Sequence, residues 1–81
     1  MKIEVESYSG RKADERPIRF RLGERWLAVE EVADRWYDPE AIYFRVKAED
    51  GNVYILRHDE RADEWTLAAF RSDRPPSARD A

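Results

Sequence analysis

His58 is the single histidine of the chain, cysteine is absent, and the four serines are Ser7, Ser9, Ser72 and Ser77. Nucleophilic catalysis needs a hydroxyl or thiol beside a base that a third group orients. The serines fall in segments of loop or tail character, and only one imidazole exists to serve as base. Paired carboxylates such as Glu30-Glu31 and Asp59-Glu60 alternate sides of a strand or sit in a turn, where nothing raises a carboxyl pKa. A carboxylate-only metal site would draw on Asp59, Glu60, Asp63 and Glu64, a run without the ligand spacing of a calcium loop. Three scattered glycines form no phosphate-binding loop. The acidic run reads as a solvated turn, and the expectation is a protein that is not an enzyme and carries no metal or other cofactor.

What the chain does hold is arginine interleaved with flat rings: Arg19, Arg21, Trp26, Tyr43, Arg45 and Lys47, with Arg35 and Trp36 near them. If the three central strands lie side by side, these residues make one cationic, aromatic sheet face. Such a face stacks single-stranded bases at about 1 to 3 kcal/mol each while its cations meet phosphates, or it forms a hot spot for a protein. A purely structural reading stands beside both. In it Arg21 covers Trp26 as a cross-strand cation–π pair of about 0.5 to 1 kcal/mol, and Trp36 belongs to the core.

The elements that must position these side chains are legible as strands. Lys2 to Tyr8 alternates Ile3 and Val5 with charge, as a strand with one buried face does. SYSGRKADER follows as a mobile loop over 8–16, and Pro17 stands where strands tolerate it. Ile18, Phe20 and Leu22 alternate with Arg19 and Arg21 up to Gly23-Glu24, a pair suited to a type II′ turn. That register sets Arg21 opposite Trp26, Phe20 opposite Leu27 and Ile18 opposite Val29, with Ile18, Phe20, Leu27 and Val29 on one face. Continued alternation would bury Glu31, so either a bulge falls near Glu30-Glu31 or the chain turns helical, because Val29, Val32, Ala33 and Trp36 also fit a helical period. Strand signals on both sides favour the bulged, bending strand, which Asp38-Pro39 ends.

Ile42, Phe44 and Val46 alternate with Tyr43, Arg45 and Lys47 and lead into Glu49-Asp50-Gly51. A three-residue loop with Gly51 in the left-handed region pairs Phe44 with Leu56 and Val46 with Tyr54, whereas a two-residue Asp50-Gly51 turn inverts the second strand. The three-residue loop is the preferred reading. His58 to Glu64 reads as a charged turn, Trp65 to Arg71 as a last strand with two apolar faces, and 72–81, with two prolines, as a disordered tail. The expected fold is all-β: a small, strongly twisted antiparallel meander of five to six strands in a partly open, SH3-like barrel. It forms a single domain over 1–71.

Composition bounds the function classes. Twelve per cent aromatic residues suffice for a core in 81 residues. The absence of cysteine and of any ~20-residue apolar run points to a cytoplasmic, non-membrane protein. Fifteen basic residues nearly cancel eighteen acidic ones, unlike the basic excess of a duplex-DNA binder. The middle of the chain, Trp26 to Phe70, is acidic, and this favours a protein partner over a nucleic acid.

Pro17, Phe20, Gly23, Trp26, Val29, Glu31, Val32, Asp34 and Trp36, then Tyr43, Phe44, Arg45, Val46, Asp50, Gly51, Tyr54 and Leu56, then Trp65 and Leu67, form a pattern over about two thirds of the chain. It resembles a small uncharacterised bacterial β domain family, found alone and at the C-terminus of some Y-family translesion polymerase-like proteins. The matching positions are structural. The resemblance implies a genomic setting in DNA damage tolerance and no mechanism. Together these readings give a non-enzymatic accessory or protein-interaction module, a monomer or weak homodimer, with single-stranded nucleic-acid binding as the alternative. The surface expected to bind comprises Arg19, Arg21, Trp26, Arg35, Tyr43, Arg45 and Lys47.

Overall fold

The computed structural model describes residues 1–8 and 16–71. Six strands follow one another: β1 (Lys2–Tyr8), β2 (Arg16–Leu22), β3 (Arg25–Tyr37), β4 (Ile42–Ala48), β5 (Val53–Asp59) and β6 (Glu64–Arg71). Each pairs antiparallel with the next and β6 returns to β1, so the meander closes into a small barrel. The interior of the 8–16 loop and the 72–81 tail lie outside the described residues, and Ser7 is part of β1.

The turns are set by backbone chemistry that the sequence announces. Gly23 has φ 59° and Glu24 stays at negative φ, the pattern of a type II′ hairpin, and the β2–β3 register puts Leu22 opposite Arg25 and Phe20 opposite Leu27. Gly51 has φ 85° in the loop after β4, and Phe44 faces Leu56 while Val46 faces Tyr54, the register of the three-residue loop. Asp50 fastens that loop, accepting from the Asn52 amide at 3.0 Å and from the Tyr54 hydroxyl at 2.6 Å.

Bulges then decide which residues point inward. On β3 the pairing with β4 slips between Val29 and Glu31 and again between Val32 and Asp34, so Glu30 and Ala33 are extra residues. The inward positions become Leu27, Val29, Val32 and Arg35, spaced by two, three and three. This is why a helical period fits a segment that is strand throughout. A further slip between Glu6 and Ser7 pairs Ser7 with Pro17 and leaves Ile18 out of register. Pro17 turns inward in place of Ile18, which is 46% exposed, contrary to the uninterrupted alternation expected for β2. On β6 the shift between Ile55 and Leu56 makes Ala68 the extra residue, so Phe70 comes back beside Tyr54, with ring centroids 5.1 Å apart.

The core is Phe20, Leu27, Phe44, Val46, Ala48, Tyr54, Leu56 and Trp65, each buried, with Ile3, Val5, Val29, Val32, Ile42 and Leu67 packed around them. Burying each large side chain contributes about 1.5 to 3 kcal/mol. His58 corrects the reading of 58–64 as a turn. It is the last inward residue of β5, 3% exposed, lying flat on Trp65 with centroids 4.2 Å apart and its Nε2 3.2 Å from Asp63 Oδ1. The turn proper spans Glu60 to Asp63. No helix among the described residues is long and apolar enough to cross a membrane.

Candidate binding surface

The three central strands do lie side by side, yet the expected patch does not form as one surface. β3 pairs with β2 only through Arg25 to Ala28 and with β4 from Val29 onward. Trp26 and Trp36, ten residues apart, are therefore separated by about 30 Å along the strand. The residues sort into a cluster on β1–β2–β3 and another on β3–β4–β5.

In the first cluster, Glu4 and Glu6 of β1 lie opposite Arg21 and Arg19 of β2, which in turn face Trp26 and Ala28 of β3. Arg19 grips Glu6 with both prongs of its guanidinium, Nε to Oε1 at 2.8 Å and Nη2 to Oε2 at 3.0 Å. That fork holds the Glu6 carboxyl below its ordinary pKa and raises Arg19. Arg21 donates to the Gly23 carbonyl at 2.8 Å and to Glu4 at 3.0 Å. The cation over the Trp26 ring is Arg19, 4.7 Å from its centroid, and not the directly opposed Arg21. Arg21 is drawn the other way by the carbonyl and carboxylate it bonds.

The second cluster is built on rows that cross β3, β4 and β5: Trp36, Tyr43 and Arg57; Asp34, Arg45 and Ile55; Glu31, Lys47 and Val53. Trp36 is 39% exposed, so it is not a core residue. It stacks on Tyr43 with centroids 5.5 Å apart and planes within 1°. Asp38 ties the hairpin end, its Oδ1 accepting from the Glu40 amide at 2.9 Å and the Ala41 amide at 2.7 Å. The Asp38 carboxyl is held below its usual range first by the Glu40 amide, against some burial, and then by the Ala41 amide, the Tyr43 hydroxyl and the Arg57 charge. The same Tyr43 hydroxyl is the first cause of the raised pKa of Arg57. Tyr37, 65% exposed, stands on the opposite face of this end, beside Ile42.

Arg45 reaches Asp34 at 3.6 Å, and Lys47 stands opposite Glu31. Arg35 departs from the expected surface. It sits in register with the buried Phe44, its guanidinium 5.5 Å from that ring, so it covers the barrel end from the inner side. The residues that sequence reasoning left out are the carboxylates Glu4, Glu6, Asp34 and Asp38, together with Tyr37 and Arg57. Only the strand registers, which fix cross-strand neighbours, would have revealed them. Among the described residues no group of three or more His, Asp or Glu side chains is placed to hold a metal ion. In comparisons with protein-family models, with curated proteins and with solved structures, the chain matches none.

Proposed function

We propose that the protein is a non-enzymatic interaction module that docks a protein partner through the aromatic end of the β3–β4 hairpin. The observation that carries this reading is the Trp36–Tyr43 stack, partly exposed yet fixed by the Asp38 turn beneath it, with Tyr37 exposed on the other face. Exposed rings with little freedom to lose are the usual centres of protein hot spots. The alternative, a platform for single-stranded nucleic acid, needs cations free to meet phosphate. Arg19, Arg21 and Arg45 are each engaged by a carboxylate, and Lys47 faces one. A phosphate would have to displace these partners, which favours the protein reading. A setting in DNA damage tolerance, as the sequence resemblance implies, fits an accessory of this kind, as does the cytoplasmic location expected from the absence of cysteine.

The test is a photo-crosslinking residue placed at position 36 or, as control, at the exposed Arg61, in the cells that make the protein. Position 36 is expected to trap one discrete protein and position 61 none. No discrete product at position 36, with a labelled oligonucleotide bound at 50 mM salt, would overturn the proposal in favour of nucleic acid.

A further inference from the structure

Asp50-Gly51 is the one place in the chain where an aspartate precedes a glycine. This pair carries a reaction of its own. The Gly51 nitrogen can bond to Asp50 Cγ, one carboxyl oxygen leaving as water with the amide proton and a second proton, and a five-membered succinimide results. Water then opens the ring at either carbonyl. Opening at the former side-chain carbonyl restores aspartate, whereas opening at the former backbone carbonyl leaves the chain running through Cγ as isoaspartate, one methylene longer. Glycine favours the first step because no Cβ stands beside the attacking nitrogen and its backbone turns freely to the geometry required. Asp34, Asp59 and Asp63 precede Arg35, Glu60 and Glu64, whose side chains crowd the nitrogen, and Asp38 precedes Pro39, which has no N–H.

In the folded loop both reacting groups are held elsewhere. The Gly51 N–H donates to the Ala48 carbonyl at 2.9 Å, which commits its nitrogen to the turn that follows β4. The Asp50 carboxylate is fixed from the far side of the loop: Oδ1 accepts from the Asn52 amide at 3.0 Å, and Oδ2 from the Asn52 side chain at 3.1 Å and the Tyr54 hydroxyl at 2.6 Å. Of these donors Tyr54 is the one anchored in the core. An ionised carboxylate is also a poor electrophile, and the Asp50 pKa, pushed up by burial but pulled down further by the Tyr54 hydroxyl and the Asn52 amides, ends below its ordinary value.

We propose that Asp50-Gly51 is a latent modification site, with water as its only co-reactant, which the Tyr54–Asp50 and Gly51–Ala48 bonds hold closed and which converts to isoaspartate when the loop releases them. The product does not fit the same loop. An added methylene lengthens a three-residue turn whose closure sets Lys47 opposite Val53 and Val46 opposite Tyr54, and the new carboxylate, attached directly to Cα, is withdrawn from the Tyr54 hydroxyl. Conversion therefore loosens the hairpin that carries Phe44 and Leu56 into the core.

The test follows isoaspartate formation at Asp50 in the full chain at pH 7, by fragmentation mass spectrometry that separates the two linkages. The native protein should convert at least about tenfold more slowly than the same chain in concentrated urea, because only a minor open population reacts. Tyr54→Phe, at a temperature where it stays folded, should convert about fivefold faster than the native protein, the factor by which loss of one such bond raises the released population. Ile3→Val is the control. It lies in the row of Trp65, His58 and Ile42, at the far end of β4 and β5 from the loop, and lowers global stability by a similar amount. Its rate should stay within about twofold of the native one. Equal rates in the native and unfolded chains, or no acceleration in Tyr54→Phe, would overturn the proposal. So would equal acceleration in Ile3→Val, because conversion would then follow global unfolding, or an unchanged Tm in the purified isoaspartate form.

Discussion

Tyr54→Phe isolates one hydrogen bond in a packed setting and gives it a pH signature. The Tyr54 ring is 3% exposed, edge-on to Phe20 at 4.9 Å and tilted against Phe70 at 5.1 Å, and Phe keeps both contacts. What disappears is the hydroxyl that donates to Asp50 Oδ2 at 2.6 Å. Hydrogen bonds to charged groups contribute about 1.5 to 3 kcal/mol when shielded, but Asp50 is an exposed loop residue, so the value is discounted to about 1 kcal/mol. For a domain of this size that corresponds to a Tm lower by about 4 to 8 °C near neutral pH. The Asp50 pKa supplies the second measurement. Burial pushes its carboxyl up, but the Tyr54 hydroxyl and the Asn52 amides outweigh this and leave it below the ordinary aspartate value. A carboxyl depressed in the folded state contributes stability above its unfolded pKa and loses it as the pH falls through the folded value. The Tm gap between the two proteins should therefore be widest above about pH 5 and narrow steadily toward pH 2, the other carboxylates cancelling in the difference. Calorimetry from pH 2 to 7 decides it. A gap under 1 °C at pH 7, or one of constant width down to pH 2, would refute the reasoning that a charge-assisted bond fastens the loop.

Further substitutions probe the core and the turns. Phe44→Ala empties the barrel centre beneath Arg35 and beside Trp65, with ring centroids 5.6 Å from the latter; a loss of about 3 to 5 kcal/mol is expected. In an 81-residue chain that leaves little or no folded protein in a urea titration. Gly23→Ala meets no steric obstacle, because an added Cβ has no neighbour within 4 Å. Its cost is the left-handed backbone alone, φ 59°, and should be about 1 to 2 kcal/mol with an unchanged denaturant slope. A larger loss with an altered slope would contradict the open space around Gly23.

The parts of the fold legible in the sequence are those where local chemistry fixes register. Gly23-Glu24 and Glu49-Asp50-Gly51 each impose a turn length, and from turn length the partners of Phe20, Phe44 and Val46 follow. What stayed hidden is where a bulge absorbs one residue. The slip that exchanges Pro17 for Ile18 leaves no mark in composition, and the two on β3 imitate a helical period. His58 was hidden for a related reason. It stands first in a run of charged residues, and only its pairing with Trp65 shows that β5 keeps its inward alternation one residue longer.

The binding surface was less legible than the core, and the cause is physical. Core residues are recognised by what they are, whereas a charged surface residue is defined by what it faces. Arg19, Arg21 and Arg45 look like free cations in a one-dimensional chain and prove to be halves of cross-strand pairs with Glu6, Glu4 and Asp34, which are 13, 17 and 11 residues away in sequence. Each exposed pair contributes little stability, because solvent screens it and two long side chains must be held in one geometry. Their larger effect is on recognition, since a cation already matched attracts phosphate weakly and a matched row repels a misaligned strand. With 41% of its residues charged, the chain cancels its field over most of the sheet surface. On the proposed reading, recognition is then concentrated where no charge needs matching, at the uncharged rings of Trp36, Tyr37 and Tyr43.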